Sequence, residues 1–252
     1  MFPTILELGP FTIRSYGLLL AVSFLVGISY SARRASRDGL NPDRVIGLTW
    51  ILILLGVIGA RMMYVIQHPG DFSGAPLEIL RVWRGGLTLY GGLILAIVGG
   101  FLYLRWRTRR PWRYADAMAP FISLGEGISR VGCFLNGCCF GTPSTLPWAL
   151  QFPDDCVAGH SPIAAFRLHP TQIYASIFGL MLFLFLRNRL FKKHFTGEVF
   201  ALYLIFSGLF RFGIDFLRFY EDGANLWVNQ IIALGTAVAG VIIYVRSRRA
   251  NT

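Results

Sequence analysis

Seven apolar stretches, each close to the length that crosses a bilayer, constrain this chain more than any other feature. They run over residues 16–30, 45–66, 86–104, 115–136, 171–186, 197–219 and 227–245. A transmembrane helix needs about 20 mostly apolar residues. The first and fifth stretches are short and must extend into their flanks. The fourth is the weakest, because Glu126 and Arg130 interrupt it. Composition agrees: 54% of the 252 residues are hydrophobic and 15% charged, against about 25% charged in soluble domains. The expected fold is all-α: a polytopic membrane protein of about seven transmembrane helices, one domain over residues 1–252.

A net charge of +11 raises the question of nucleic acid, and the placement of the charge answers it. Arg33, Arg34, Arg37 and Arg44 follow the first stretch. Arg105, Arg107, Arg109, Arg110 and Arg113 follow the third, Arg187, Arg189, Lys192 and Lys193 the fifth, and Arg246, Arg248 and Arg249 the last. With seven spans these four segments share one side, and the positive-inside rule makes that side cytoplasmic. The N-terminus is then expected outside and the C-terminus in the cytoplasm. Anionic lipid headgroups, not nucleic acid, are the natural partners of such segments. The segment before the first stretch lacks the basic region of a cleavable signal peptide. Its Phe2, Phe11 and Ile13 suit the membrane interface instead. Residues 137–170, rich in Pro, Gly and Ser, form the longest outer loop and are expected to make a small extracytoplasmic cap. No low-complexity tract or internal repeat stands out, which gives no support to an inverted-repeat transporter.

Charge inside the spans carries the functional information. Arg61, Arg130, Arg211, Arg218, Asp116, Glu126 and Asp215 all fall within apolar stretches. Each central Arg or Asp costs about 2.5–3.5 kcal/mol on insertion scales, so such groups face the bundle interior and pair. Arg211 and Asp215 are four residues apart, Arg218 is three further on, and Glu126 and Arg130 are four apart. These spacings put partners on one helical face. Structural ion pairs tying helices together, or snorkelling for Arg218, would explain them. For the deeper Arg130 and Arg211 a functional site is the favoured reading. Basic groups outnumber acids, and guanidinium binds phosphate in a bidentate manner. The cysteines, Cys133, Cys138, Cys139 and Cys156, have a C-x4-C-C spacing that is no known metal clamp, and no paired histidines complete one. Neither a metal nor another cofactor is expected. A disulfide from Cys156 to Cys138 or Cys139 and a role as small buried apolar groups are equally open.

The motifs resemble one family. Ser129-Arg-Val-Gly-Cys-Phe-Leu-Asn-Gly-Cys-Cys-Phe-Gly141 resembles the G-R-x-G-[NC]-F-x-N-G signature of prolipoprotein diacylglyceryl transferases. Ser15-Tyr16-Gly17, Gly59-Ala60-Arg61 with Tyr64, Arg81-Val82-Trp83-Arg84-Gly85-Gly86-Leu87 with Tyr90-Gly91-Gly92, His169-Pro170-Thr171-Gln172-Ile173-Tyr174, and Phe210-Arg211 with Asp215-Phe216-Leu217-Arg218 resemble further blocks in the same order. The resemblance implies a seven-span bundle of the bacterial inner membrane whose site opens outward and sideways to lipid. It implies an enzyme that moves the diacylglyceryl group of phosphatidylglycerol onto the lipobox cysteine thiol of a preprolipoprotein, releasing glycerol 1-phosphate. Arg130, Arg211 and Tyr90 are then the expected catalytic residues. Tyr16, Arg61, Asn136, Gly141, Asp215, Arg218, His169 and Gln172 are expected to bind substrate. Preplaced guanidinium groups would stabilise the departing phosphate. Some positions depart from the family pattern. Tyr90 stands where many members carry His, the proposed base; Ser129 replaces Gly; Cys133 and Cys138 replace Asn and Glu; Asp215 replaces Glu. Two other readings remain. An anion transporter would spread charge through its depth, whereas Arg130, Arg211 and Arg218 lie toward the outer halves of their stretches. A non-catalytic, phosphatidylglycerol-binding member of the family is compatible with Tyr90.

Overall fold

A computed structural model of the chain describes residues 1–252 apart from 3, 9–10, 73–75, 83–84, 221–224 and 251–252; at 7–8, 11–13, 76, 89 and 225 it describes the backbone alone. Trp83 and Arg84 of the expected motif therefore lie outside the described residues. The side chains of Phe11 and Ile13 lie outside them too.

Seven α-helices are present among the described residues: α1 (Ser15–Arg37), α2 (Pro42–Gln67), α3 (Leu89–Arg107), α4 (Pro111–Asn136), α5 (Thr171–Phe191), α6 (Glu198–Asp215) and α7 (Asn225–Arg249). Each corresponds to one of the seven apolar stretches. Helices α1, α2, α5 and most of α7 are long and apolar enough to cross a membrane, so the protein is a polytopic helical membrane protein. The segment ahead of α1 is an antiparallel hairpin, β1 (Thr4–Leu8) paired with β2 (Phe11–Arg14).

Local chemistry sets the helix ends. Asn41 caps α2, accepting the Asp43 N–H at 2.8 Å, with Pro42 at the first helical position. That proline has no N–H to lose there. Helix α6 starts differently. Gly197, with φ 94°, offers no capping side chain, and Asp116 of α4 fills the role from a distance. Its carboxylate accepts the N–H of Gly197 (2.8 Å) and of Phe200 (3.0 Å), and binds Lys193 at 3.2 Å. Asp116 is fully buried. Of the two readings of an acid in this span, the structural one is correct for Asp116: it satisfies orphan donors of a neighbouring helix.

The chain forms two compact units, Met1–Ser31 with Trp112–Thr252, and Ala32–Pro111. In the second unit α2 and α3 pack through small residues; a Cβ on Gly91 would collide with the Gly59 carbonyl oxygen. Backbones approach this closely in membranes because lipid supplies no hydrophobic drive and packing must supply it. In the first unit α4 is the interior helix. Tyr114, Asp116, Ala117, Ala119, Pro120 and Ser123 are all buried. Gly127 meets Gly179 of α5, and Ser123 Oγ and Ser176 Oγ donate across that contact to the carbonyls of Gly179 and Gly127, both at 2.9 Å. The weakest apolar stretch of the sequence is thus the most enclosed helix of its unit. It tolerates charge because protein surrounds it.

One boundary differs from expectation with consequence. The sixth apolar stretch extends to 219, which places Arg218 inside a span. Helix α6 ends at Asp215, and Arg218 sits beyond it in an extended bridge to Gly141.

Candidate active site

The site of the first unit is assembled where α4 ends. The last turn closes in a left-handed Gly137 (φ 69°). Gly137 N–H donates to Phe134 O at 3.1 Å and Cys138 N–H to Cys133 O at 3.0 Å. This pair of bonds is a Schellman cap, which satisfies carbonyls that the helix leaves open. The chain then forms the cap, residues 137–170, around Phe140, Phe152, Cys156, Ala158 and Leu168. All four cysteines are free thiols. The disulfide that the sequence left open is absent: Cys156 Sγ donates to Pro153 O at 3.1 Å and is buried against Gly137.

Three motif segments are tied together by backbone bonds. Gly141 N–H donates to His169 O (2.9 Å), His169 N–H to Thr142 O (3.1 Å), Thr142 N–H to Leu217 O (2.9 Å) and Phe219 N–H to Phe140 O (3.2 Å). A Cβ on Gly141 would come within 2.6 Å of both His169 Cβ and Leu217 O, so only glycine fits where these strands cross. Gln172 is buried and its Nε2 donates to Cys138 O (2.8 Å), while Thr171 Oγ1 donates to Cys139 O (2.7 Å). His169 Nδ1 lies 3.3 Å from the Tyr174 hydroxyl. Gln172 thus supports the turn that presents Cys138, and His169 supports the strand crossing through its backbone.

Around this turn stand the charged groups. Asp215 is fully buried and holds two arginines: Arg211 Nε donates to Oδ2 at 3.1 Å, and Arg218 Nη1 lies 3.8 Å from Oδ1. Tyr220 completes the set, donating to Asp215 Oδ1 at 2.8 Å and accepting from Arg211 Nη2 at 3.4 Å. Burial above all, with its hydrogen bond to Asp215, pushes the Tyr220 phenol up to about 12, against the opposing pull of Arg218. Nothing in the sequence pointed to Tyr220, because it lies past the end of α6 and shares no helical spacing with Asp215. The Arg218 Nε is buried without a hydrogen-bond partner among the described residues. Glu126 lies in the fields of both Arg130 and Arg211, and Tyr203 donates to its Oε1 at 2.6 Å. Arg130 in turn faces Cys133, Cys139, Glu126 and Tyr16. Asn136 hydrogen-bonds to Cys138. The Cys133 and Cys138 thiols, which hydrogen-bond to it, and the guanidiniums of Arg218 and Arg130 hold Cys139 well below the ordinary thiol range, despite burial. Arg130, Arg211 and Arg218 thus gather around two carboxylates, with positive charge in excess.

Two expected site residues belong to the second unit. Tyr90 is the second residue of α3 and is half-buried. Arg61 is buried, and its guanidinium donates to Ile79 O (2.8 Å), Gly85 O (2.8 Å), Gly86 O (3.0 Å) and Glu78 O (2.6 Å). It also lies 5.1 Å from the Phe72 ring centre and 5.7 Å from that of Tyr64. Four of the five donors of this guanidinium go to loop carbonyls, which makes Arg61 the staple of the segment between α2 and α3.

A family model described as prolipoprotein diacylglyceryl transferase matches residues 3–246. The chain belongs to the prolipoprotein diacylglyceryl transferase family. A phosphatidylglycerol–prolipoprotein diacylglyceryl transferase of Clostridium tetani is 32% identical, over 97% of this chain and 97% of its own length. Relatives of the same name from Synechococcus elongatus and Prochlorococcus marinus (strain NATL2A) are 36% and 35% identical, each over 95% of this chain and over 85% and 88% of their own lengths. This transferase family member therefore aligns almost from end to end, and its match includes both units and the cap.

Proposed function

We propose that the protein transfers the diacylglyceryl group of phosphatidylglycerol to the lipobox cysteine thiol of a preprolipoprotein and releases glycerol 1-phosphate. The observation that carries this reading is the arginine set around Asp215. The phosphatidylglycerol headgroup is an anion, and its phosphate leaves with added charge when carbon is attacked. Donors fixed in advance around that charge lower the barrier most when they need no reorganisation. Asp215, fully buried, fixes Arg211 and Arg218 from the side away from solvent. Arg130 and Arg211 hold the phosphate in this reading, and Arg218 adds field. Asn136 and Tyr16 line the headgroup subsite. Gly141, His169 and Gln172 shape the turn behind it. Tyr90 donates a hydrogen bond to a reacting group. Arg61 acts through the loop it holds. Residues 1–252 work as one transferase domain in the bacterial inner membrane, with the N-terminus and the 137–170 cap outside and the C-terminus in the cytoplasm.

Purified protein given phosphatidylglycerol and a lipobox peptide tests the reaction by release of glycerol phosphate. Wild type should release it stoichiometrically with thioether formation, and Arg130→Ala or Arg211→Ala should slow it by about 10²–10³. Near-normal turnover of either folded variant removes that arginine from the site. Binding of phosphatidylglycerol without release would support a lipid-binding protein instead. A reporter fused within the cap should score external; a cytoplasmic signal there refutes the orientation.

A further inference from the structure

Sequence spacing offers no reason to group the cysteines, yet the fold does. The Schellman cap explains how. Its backbone bond from the residue after the left-handed glycine returns to the residue five positions earlier. Here those two residues are Cys138 and Cys133. Cys139 follows with φ 63°, the one non-glycine residue with positive φ among those described. A non-glycine side chain held there is a local strain, and such strain collects at functional sites. The outcome is that the Sγ atoms of Cys133, Cys138 and Cys139 all lie within 4.8 Å of one another. Thr171 and Gln172 hold the carbonyls of Cys139 and Cys138 and so fix the turn from behind.

We infer that Cys133, Cys138 and Cys139 form a three-thiolate site for a zinc-type metal ion, whose fourth position takes the thiol of the acceptor peptide. Tetrahedral zinc with bonds of about 2.3 Å to sulfur sets sulfurs roughly 3.8 Å apart, so the three thiols need to close by about 1 Å or less. Three thiolates on a divalent ion carry one net negative charge, and Arg130 and Arg218 face Cys139 to balance it. Three protein ligands with an open position is the pattern of catalytic rather than structural zinc. Arg130 and Tyr16, which both face the cluster, put the open position beside the groups assigned above to the phospholipid.

The step rests on the proposed transferase reading and removes the need for a protein base, since coordination ionises the thiol. The acceptor thiol gives its proton to solvent as it binds the metal, because coordination deprotonates a thiol outright. The bound sulfur's electron pair attacks the glyceryl carbon that bears the phosphate ester. The carbon–sulfur bond forms, the carbon–oxygen bond breaks, and its electron pair leaves on the phosphate oxygen of glycerol phosphate. The thioether product, a weak ligand, departs from the metal. No electron is exchanged with the ion, which keeps its three cysteines.

The test uses the full chain in detergent, reduced, stripped with a chelator and titrated with cobalt(II) as a spectroscopic probe. One equivalent should bind with an intense thiolate-to-metal charge-transfer band, and zinc should displace it. Cys133→Ser, Cys138→Ser and Cys139→Ser should each weaken binding by about tenfold or more, while Cys156→Ala, outside the cluster, should not change the band. Absence of a charge-transfer band in wild type, or an equal band in all variants, overturns the site. On the same samples, stripping should cut glycerol-phosphate release at least about tenfold, and zinc should restore it. Full release from stripped protein and from Cys139→Ser overturns the catalytic role and leaves the transferase reading intact. No release from metal-loaded wild type with its cobalt band intact overturns the transferase reading, and the catalytic role with it, but not the site.

Discussion

Arg211 and Asp215 form an ion pair one helical turn apart at the very end of α6, with the carboxylate fully buried and the guanidinium about one-third exposed. The i,i+4 spacing brings the pair together. The end of the helix frees the chain to fold back, so that Tyr220 reaches Oδ1 and Arg218 approaches the same oxygen. One acid therefore sets the position of two arginines.

Asp215→Asn should keep the shape and lose the charge. Hydrogen bonds to a charged partner are worth about 1.5–3 kcal/mol. The expected result is a fall of about ten- to hundredfold in kcat/KM for phosphatidylglycerol, with insertion and thermal midpoint little changed. Asp215→Glu should recover much of the loss, since the family pattern carries Glu there. Unaltered kinetics in Asp215→Asn would mean that the arginines are positioned by other contacts.

Arg61 predicts a different signature. Its four bonds to the carbonyls of Glu78, Ile79, Gly85 and Gly86 are structural, so Arg61→Ala should lower the thermal midpoint in detergent and loosen the 78–86 segment to proteolysis. Lys has three N–H groups on a point charge and cannot reproduce a planar fork, so Arg61→Lys should restore stability only in part. A raised KM for phosphatidylglycerol with an unchanged midpoint would instead make Arg61 a headgroup ligand.

Tyr90 is expected to be a hydrogen-bond donor rather than a base. A neutral phenol is a poor proton acceptor, whereas a thiol is already a few per cent thiolate at pH 7. Tyr90→Phe should slow transfer by about tenfold or less, and Tyr90→His should stay active. Initial rates across pH decide: a loss beyond about 10³ with disappearance of the alkaline limb would establish Tyr90 as the base.

Tyr220 links the site to stability at high pH. Its folded value is raised from 10.0 to about 12, so the fold favours the neutral phenol. That contribution is fully present below pH 10 and is lost as pH rises from 10 through about 12. Denaturation midpoints should therefore fall across this window in wild type and fall less steeply in Tyr220→Phe. Identical slopes would exclude Tyr220 as the responsible group.

How far the sequence reaches is clearest at three places. Apolar length and the run of basic loops were enough to place all seven helices, because a bilayer admits few other ways to satisfy a backbone. Helical spacing sufficed to pair Arg211 with Asp215, because i,i+4 contacts are a local property. Motif order was enough for the family. Other features depended on long-range geometry. That Asp116 caps α6 across 81 residues, that Tyr220 joins Asp215, and that Arg61 is occupied by loop carbonyls all follow from which segments meet, and sequence spacing carries no record of that. The cysteines stand between these cases. Gly137 marks the helix end in the sequence, but the left-handed turn at Cys139 and the strands of Gly141, His169 and Leu217 that hold it are tertiary. Local rules fix what each segment can form. Which buried donor meets which buried acceptor is decided only when the segments pack and every polar group taken from water must find a partner.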